Sequence, residues 1–311
     1  MSARWPELDW PAWRETAQHL QLITQIVGKV RLTCTPWLNH GWHVTLYVTP
    51  RGLTTGPIPH DGRQFQIDLD LRDHVARLTG SDGREASIPL AAGSIADMHA
   101  AMMDALAGIG VAIRINTIPS EMPDAIRFEA DTHVRPYDPA SVQAFHAALL
   151  SITSVFSHYR TGFLGKASPV HFFWGSFDLA VTLFSGRTAP RHPGGVPGLP
   201  DAVTCEAYSH EEASAGFWPG SDAYPRPAFY AYAYPAPEGY ADAAVTPEAA
   251  RWDAGMGEFL LDYDAVRAAD DSEGALLEFL QSTYDAAADL GDWDRERLEC
   301  PLGVPRRPRI V

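Results

Sequence analysis

A chain of 311 residues with 46% hydrophobic content has ample material for a buried core, in two ordinary domains or one larger duplicated one. Its formal net charge of −15 opposes nucleic acid, whose phosphates draw clustered Lys and Arg. Cys34, Cys205 and Cys300 are an odd set without CxxC spacing and suggest neither a disulfide framework nor a thiolate zinc site. With no apolar run of signal-peptide length and none near the ~18 residues of a membrane span, a cytoplasmic protein without a membrane partner is expected.

The first predicted element is a helix from Trp10 to Gly28, with Pro11 in its first turn and Leu20, Ile23, Ile26 and Val27 at helical spacing. Strands are predicted at Val30–Thr35, His43–Thr49 and Phe65–Leu71, the last alternating apolar and polar residues. Val75–Thr79 and Ala86–Leu90 flank the hairpin signal Ser81-Asp82-Gly83. Ser94 caps a helix over Ile95–Ala107, and Ala112–Ile118 reads as a further strand. A connector rich in proline, Pro119, Pro123 and Pro136, leads to a helix from Asp138-Pro139 to about Tyr159. Strands follow at Val170–Phe173, Leu179–Phe184, Val203–Tyr208, Ala228–Tyr234 and Glu258–Tyr263, and a helix over Ser272–Leu290 closes the pattern.

The order helix, several strands, helix occurs twice, and similar words recur within it. Gly28-Lys29, His43, an apolar run and Arg51-Gly52 are echoed by Gly165-Lys166, His171, an apolar run and Gly186-Arg187. The expected fold is therefore α+β, with two pseudo-repeats of largely antiparallel strands about an approximate two-fold. The divisions are 1–120 for the first repeat, 121–137 for the connector, 138–295 for the second repeat and 296–311 for a tail. The repeats differ most over Ala189–Pro227, where a Pro/Gly run (Pro193–Pro200) and an aromatic turn (Gly216–Gly220) mark a long loop of the kind that is either functional or disordered, its aromatic content favouring order.

Phosphate-loop, dinucleotide, nucleophile-elbow, HExxH and EF-hand motifs do not occur in the chain. What stands out is a set of His, Trp and acidic residues beside the repeated words. His40, Trp42, His43, His171, Trp174, Asp178, Arg187, Tyr208 and Trp218 are the candidate ligand-binding residues, with rings as walls and His, Asp178 and Arg187 as polar handles. The structural alternatives are hydrogen-bonded core histidines, an aromatic-packed sheet, and arginines paired to carboxylates such as Asp70 or Asp178. Asp68 and Asp70 read as a solvent face.

His171, Glu206, His210 and Glu211 form a second candidate set, for a divalent transition metal. If Cys205–His210 is extended, Glu206, Tyr208 and His210 share one face, yet Glu206 and His210 stand about 13 Å apart along the strand. A common ion then needs a bend near Ser209.

These segments together resemble a bacterial family known only as a domain of unknown function. The resemblance rests on the GKVRL run from Gly28, Asn39–His43, Ser168–Leu179, Phe184–Arg187, Glu206–Glu211 and Gly216–Gly220, and extends roughly from Trp10 to Trp293. One departure is Leu183, where the family pattern often has Arg before the Phe. The resemblance implies a full-length single family and no particular activity, cofactor or substrate. Three functions are therefore expected to compete: a small-molecule-binding protein or enzyme with a His/Trp/acid-lined pocket in the second repeat, a metal-dependent hydrolase or oxygenase, and a protein-interaction module.

Overall fold

The computed structural model describes residues 4–122 and 124–309; Met1, Ser2 and Ala3, Pro123 of the connector, and Ile310 and Val311 of the tail lie outside the described residues. Helix α1 (Trp10–Cys34) presents Leu20, Ile23, Ile26, Val27 and Val30 at three- and four-residue spacing, all fully buried. It runs through Gly28, so the strand expected from Val30 is helical as far as Cys34. The β-branched residues there weaken a helix only slightly, whereas continuing the buried stripe with Val30 gains a full side chain of apolar burial.

After α1 the chain winds through a single 3₁₀ turn at Asn39–Gly41, so only the end of the strand expected at His43–Thr49 pairs, as β1 (Tyr47–Thr49). Strands β2 (Gly52–Thr54), β3 (Ile58–His60), β4 (Arg63–Asp70), β5 (Val75–Gly80) and β6 (Glu85–Pro89) complete a first antiparallel sheet. Its order is β1-β2-β4-β5-β6, with β3 also on β4. Phe65, Ile67 and Leu69 of β4 point into the core. Helix α2 (Ile95–Gly108) is capped by Ser94, whose hydroxyl accepts from the Asp97 N–H at 3.1 Å. The strand expected at Ala112–Ile118 does not form; that alternating stretch finds no ladder partner.

Helix α3 (Pro139–Arg160) is capped by Asp138, which accepts from Ala140 and Ser141. By length and hydropathy α3 could cross a membrane, contrary to the sequence reading that no stretch approaches this, but half of its apolar window is buried within the fold. Val142, Phe145, Leu149, Ile152 and Phe156 are wholly covered, against β1 and the second sheet among others. That sheet comprises β7 (His171–Phe173), β8 (Asp178–Thr188), β9 (His210–Trp218), β10 (Ala228–Tyr234), β11 (Arg251–Asp253) and β12 (Glu258–Asp262). Its order is β11-β12-β10-β9-β8-β7, antiparallel throughout. Helix α4 (Asp201–Ala207) lies in the β8–β9 connection, and α5 (Tyr263–Ala268), α6 (Ser272–Leu290) and α7 (Arg295–Leu298) end the chain.

The α+β class is the observed one. The repeated words, however, do not occupy matching places. Gly28-Lys29 is inside α1 while Gly165-Lys166 follows α3, and Arg51 sits in a turn while Arg187 belongs to β8. Leu46 and Phe172 exchange backbone hydrogen bonds of 2.8 and 2.7 Å, which join the β1 edge of one sheet to the β7 edge of the other. Apolar side chains from both sheets meet in one continuous core.

Candidate functional site

The register gives the second sheet two unlike faces. Leu179, Val181 and Leu183 of β8 align with Phe217, Ala215 and Ala213 of β9, and Phe217, Ala215 and Ala213 align with Phe229, Ala231 and Ala233 of β10. This apolar side packs toward α3 and α6. On the opposite side stand Asp178 and Thr182, Glu212, Ser214 and Trp218, Tyr230 and Tyr232, and Glu258. Polar residues alternating with a core face normally meet water. Here they are covered: Asp178, Glu212 and Tyr230 are only 4%, 6% and 6% exposed.

The cover comes from the β8–β9 connection and from the turns at His40 and Glu121. His192 stacks on Tyr208 at 4.8 Å and lies 5.2 Å from Tyr234. Tyr208 shares a hydrogen bond with Tyr232 at 3.2 Å. The Glu121 N–H donates to the Gly198 carbonyl at 3.3 Å. Both His40 and Glu121 (φ 58° each) hold left-handed backbone, a conformation costly for residues with side chains and concentrated where the surroundings demand it.

Beneath this cover, Trp218, Tyr230 and Tyr232 form a ring ladder, stacked at 5.0 Å and 6.2 Å. Gly216 makes the ladder fit, because a Cβ there would stand 2.2 Å from the Tyr230 hydroxyl. That hydroxyl donates to Asp178, whose other oxygen accepts from Ser176 at 2.5 Å. Burial nevertheless pushes the Asp178 carboxyl above its ordinary range. Burial also raises Glu212 to about 8, against the attraction of Lys166. Glu258 is raised to about 7, by burial and then by Asp178 and Asp253, and its Oε2 is buried without a hydrogen-bond partner. Glu121 is likewise raised to about 7, by burial and Asp178, against Lys29. Burial lowers Lys29 to about 8; its ammonium donates to Ser120 at 3.0 Å and lies 5.6 Å from the Trp174 ring centre.

The edge nearest the seam is basic. Lys166 donates to His40 Nε2, and His40 Nδ1 bonds the Ala207 carbonyl at 2.7 Å, which assigns the Nδ1–H tautomer. The His40 backbone N–H donates to Glu206 at 3.0 Å. Trp42 lies 5.5 Å from the Lys166 ammonium and 6.3 Å from His171, while His210 lies 5.8 Å from His40. His171 is wholly buried and pushed down to about 3, first by burial and then by Arg31.

Of the sequence candidates, His40, Trp42, His171, Asp178, Tyr208 and Trp218 meet on or over this face, joined by Glu206 and His210. Three have structural duties elsewhere. His43 Nδ1 accepts from the Leu38 N–H at 3.2 Å; Trp174 donates to the Val44 carbonyl at 2.8 Å and fills the space that Gly28 leaves; Arg187 pairs with Glu211 at 2.6 Å and donates to the carbonyls of Gly291 and Asp292. Arg51 pairs with Asp70 at 2.6 Å, the structural role weighed for it, but the partner of Arg187 is Glu211 and not Asp178.

The proposed metal ligands do not converge. Val203–Tyr208 is not a strand: α4 places Glu206 on a helix, where it holds His40 and Trp37, and Glu211 is taken by Arg187 and Ser185. Among the described residues, no three His, Cys, Asp or Glu side chains could hold a metal ion together. Phe217-Trp218 ends β9 and does not form a turn. Tyr230 and Tyr232 belong to the aromatic cluster that the sequence marks as either sheet packing or pocket wall, whereas Lys166, Glu212 and Glu258 lie outside the expected set, although the alternation Glu212-Ala213-Ser214-Ala215 carries the facing of Glu212.

A family model described as a family of unknown function (DUF5996) matches residues 5–300, and the chain belongs to that family. No curated protein and no solved structure matches it.

Proposed function

We propose that the chain binds a small molecule, and that the covered polar face of the second sheet is its site. The supporting observation is the set of carboxyls on that face, Asp178, Glu212 and Glu258, buried against a tyrosine and tryptophan ladder with little cationic compensation. Apolar side chains would cover a sheet face at lower cost than buried acids, so stability alone does not account for these residues. Acids and aromatic rings together suit an amine or another ligand rich in N–H donors, through charge-assisted hydrogen bonds and cation–π contact. A recess of about 150 Å³ lined by Glu211, Ala233, Tyr234, Ala287 and Trp293 lies on the α6 side of the sheet end, apart from this face.

Thermal shift against amines, sugars, nucleosides and carboxylic acids tests this reading. A nitrogen-rich compound is expected to stabilise the protein saturably, and Trp218→Ala is expected to lose that response while still unfolding cooperatively. Absence of any stabilising compound, or equal loss of folding and binding in Trp218→Ala, would remove the assignment.

A further inference from the structure

Lysine is scarce in this chain. Its 24 Lys and Arg residues include only Lys29 and Lys166 as lysines, and each stands against a tryptophan. Lys29 is 3% exposed and donates to the Ser120 hydroxyl at 3.0 Å. Lys166 is only partly covered, as are the neighbouring Trp42 and His210, so its amine can be reached from solvent. Its Nζ lies 5.5 Å from the Trp42 ring centre and 4.7 Å from that of Phe184, and it donates to His40 Nε2. The acids of the cluster are engaged or distant. Glu206 is held by the His40 backbone N–H and the Trp37 indole. Glu212 lies beyond Phe184: the Phe184 N–H donates to the Lys166 carbonyl at 3.0 Å, and Phe184 aligns with Glu212, two strand spacings or about 10 Å from Lys166.

A cation needed only to cover these rings would be served by arginine, which this chain uses almost everywhere else and which stacks well on aromatic faces. Arginine does not lose its proton, whereas a lysine among rings becomes a neutral, nucleophilic amine at lower pH than in water. Burial lowers Lys166 from its ordinary value. An acceptor for its proton is in place, because the Ala207 carbonyl takes the Nδ1–H of His40 at 2.7 Å and leaves the Nε2 lone pair facing the amine. We propose that Lys166 is a nucleophilic amine that condenses with a small uncharged aldehyde, with His40 relaying the proton. Lys166 passes one proton to His40 Nε2, and the amine electron pair attacks the carbonyl carbon; a second amine proton moves to the oxygen, giving a carbinolamine. His40 then returns its proton to that hydroxyl, which leaves as water while the nitrogen pair forms the C=N bond. The product is a protonated imine whose positive charge stays over Trp42 and Phe184, where cation–π attraction favours it. Capture of carbon dioxide would instead place an anion in a cluster that already holds Glu206. This site rests on different atoms from the acid and tyrosine ladder, and either can fail without the other.

The test uses the full chain at neutral pH with acetaldehyde and sodium cyanoborohydride, which reduces the imine to a stable secondary amine. Peptide mapping by mass spectrometry locates the label, and Nα-acetyllysine amide in the same solution sets the rate of an ordinary amine. Lys166 is expected to be labelled at least tenfold faster than this reference, and Lys29 more slowly than it. His40→Asn keeps a donor for the Ala207 carbonyl and suits left-handed backbone, but removes Nε2; it should slow the labelling of Lys166 at least tenfold while still melting cooperatively. Lys166→Arg should keep the cation over the rings, and with it the parent's Tm to within a few degrees, and lose the fast label. Labelling of Lys166 no faster than the reference, or an unchanged rate in His40→Asn, overturns the proposal and leaves Lys166 a structural cation. If His40→Asn does not fold, the parent's rate against pH decides: Lys166 labelling should level off at lower pH than the reference, and coincident profiles overturn the proposal.

Discussion

Glu212 holds its proton near neutrality because the sheet buries it and Lys166 only partly offsets that cost. Between its unfolded value of 4.5 and its folded value of about 8, the folded chain binds a proton that the unfolded chain has released. The resulting stability is complete below pH 4.5 and is lost as pH rises through about 8; Glu258 acts in the same direction up to about 7. Glu212→Gln keeps the shape and removes the titration. Thermal melts at about pH 6 and pH 9 should differ less for this variant than for the parent, by the equivalent of roughly 2 kcal/mol; identical pH dependence would show that Glu212 titrates normally. Asp178 depends on two hydroxyl donors, so Tyr230→Phe should destabilise the protein by about 1–3 kcal/mol in urea unfolding, unlike an ordinary surface substitution. These environments were only partly legible in sequence. Asp178 and Trp218 stood out by composition, but Glu212 and Glu258 look like ordinary solvent-facing acids until a cover is placed over them.

Among the elements, α1 illustrates how a local preference is overridden. Gly28 reads as a helix end because glycine weakens a helix interior, yet here it lies mid-helix against the Trp174 indole. An added Cβ would meet that ring at 2.2 Å. Gly28→Ala should therefore lower stability by about 1–3 kcal/mol through overpacking, although alanine alone would favour the helix by about 1 kcal/mol. A higher denaturation midpoint for Gly28→Ala would mean that Trp174 moves aside freely. The same competition explains α4, where the acid, tyrosine and histidine of Glu206–His210 were expected along one strand. Instead a short helix turns Glu206 toward His40 before β9 begins at His210. Elements with strong periodicity and caps, α2, α3, α6, β4 and β10, agree with expectation because their signals are local.

On the scale of the whole molecule, the Leu46–Phe172 bridge joins sheets that sequence distance separates, and Phe172 is fully buried there against Phe145 and Phe177. Phe172→Ala should cost about 3–5 kcal/mol and destabilise both sheets together, because it opens a cavity at their joint. Coincident far- and near-ultraviolet melting transitions check this; a separate, unshifted transition for one sheet would show that the sheets unfold independently. Sequence alone determined the α+β class, most helices and strands, and the segments that supply the candidate site, since spacing, capping and alternation act over a few residues. The tertiary structure alone decided which acids are buried, that Arg187 and Glu211 satisfy one another, and that Leu46 meets Phe172. Those outcomes depend on cover and contact between residues far apart in the chain, and no local pattern encodes the solvent that packing removes.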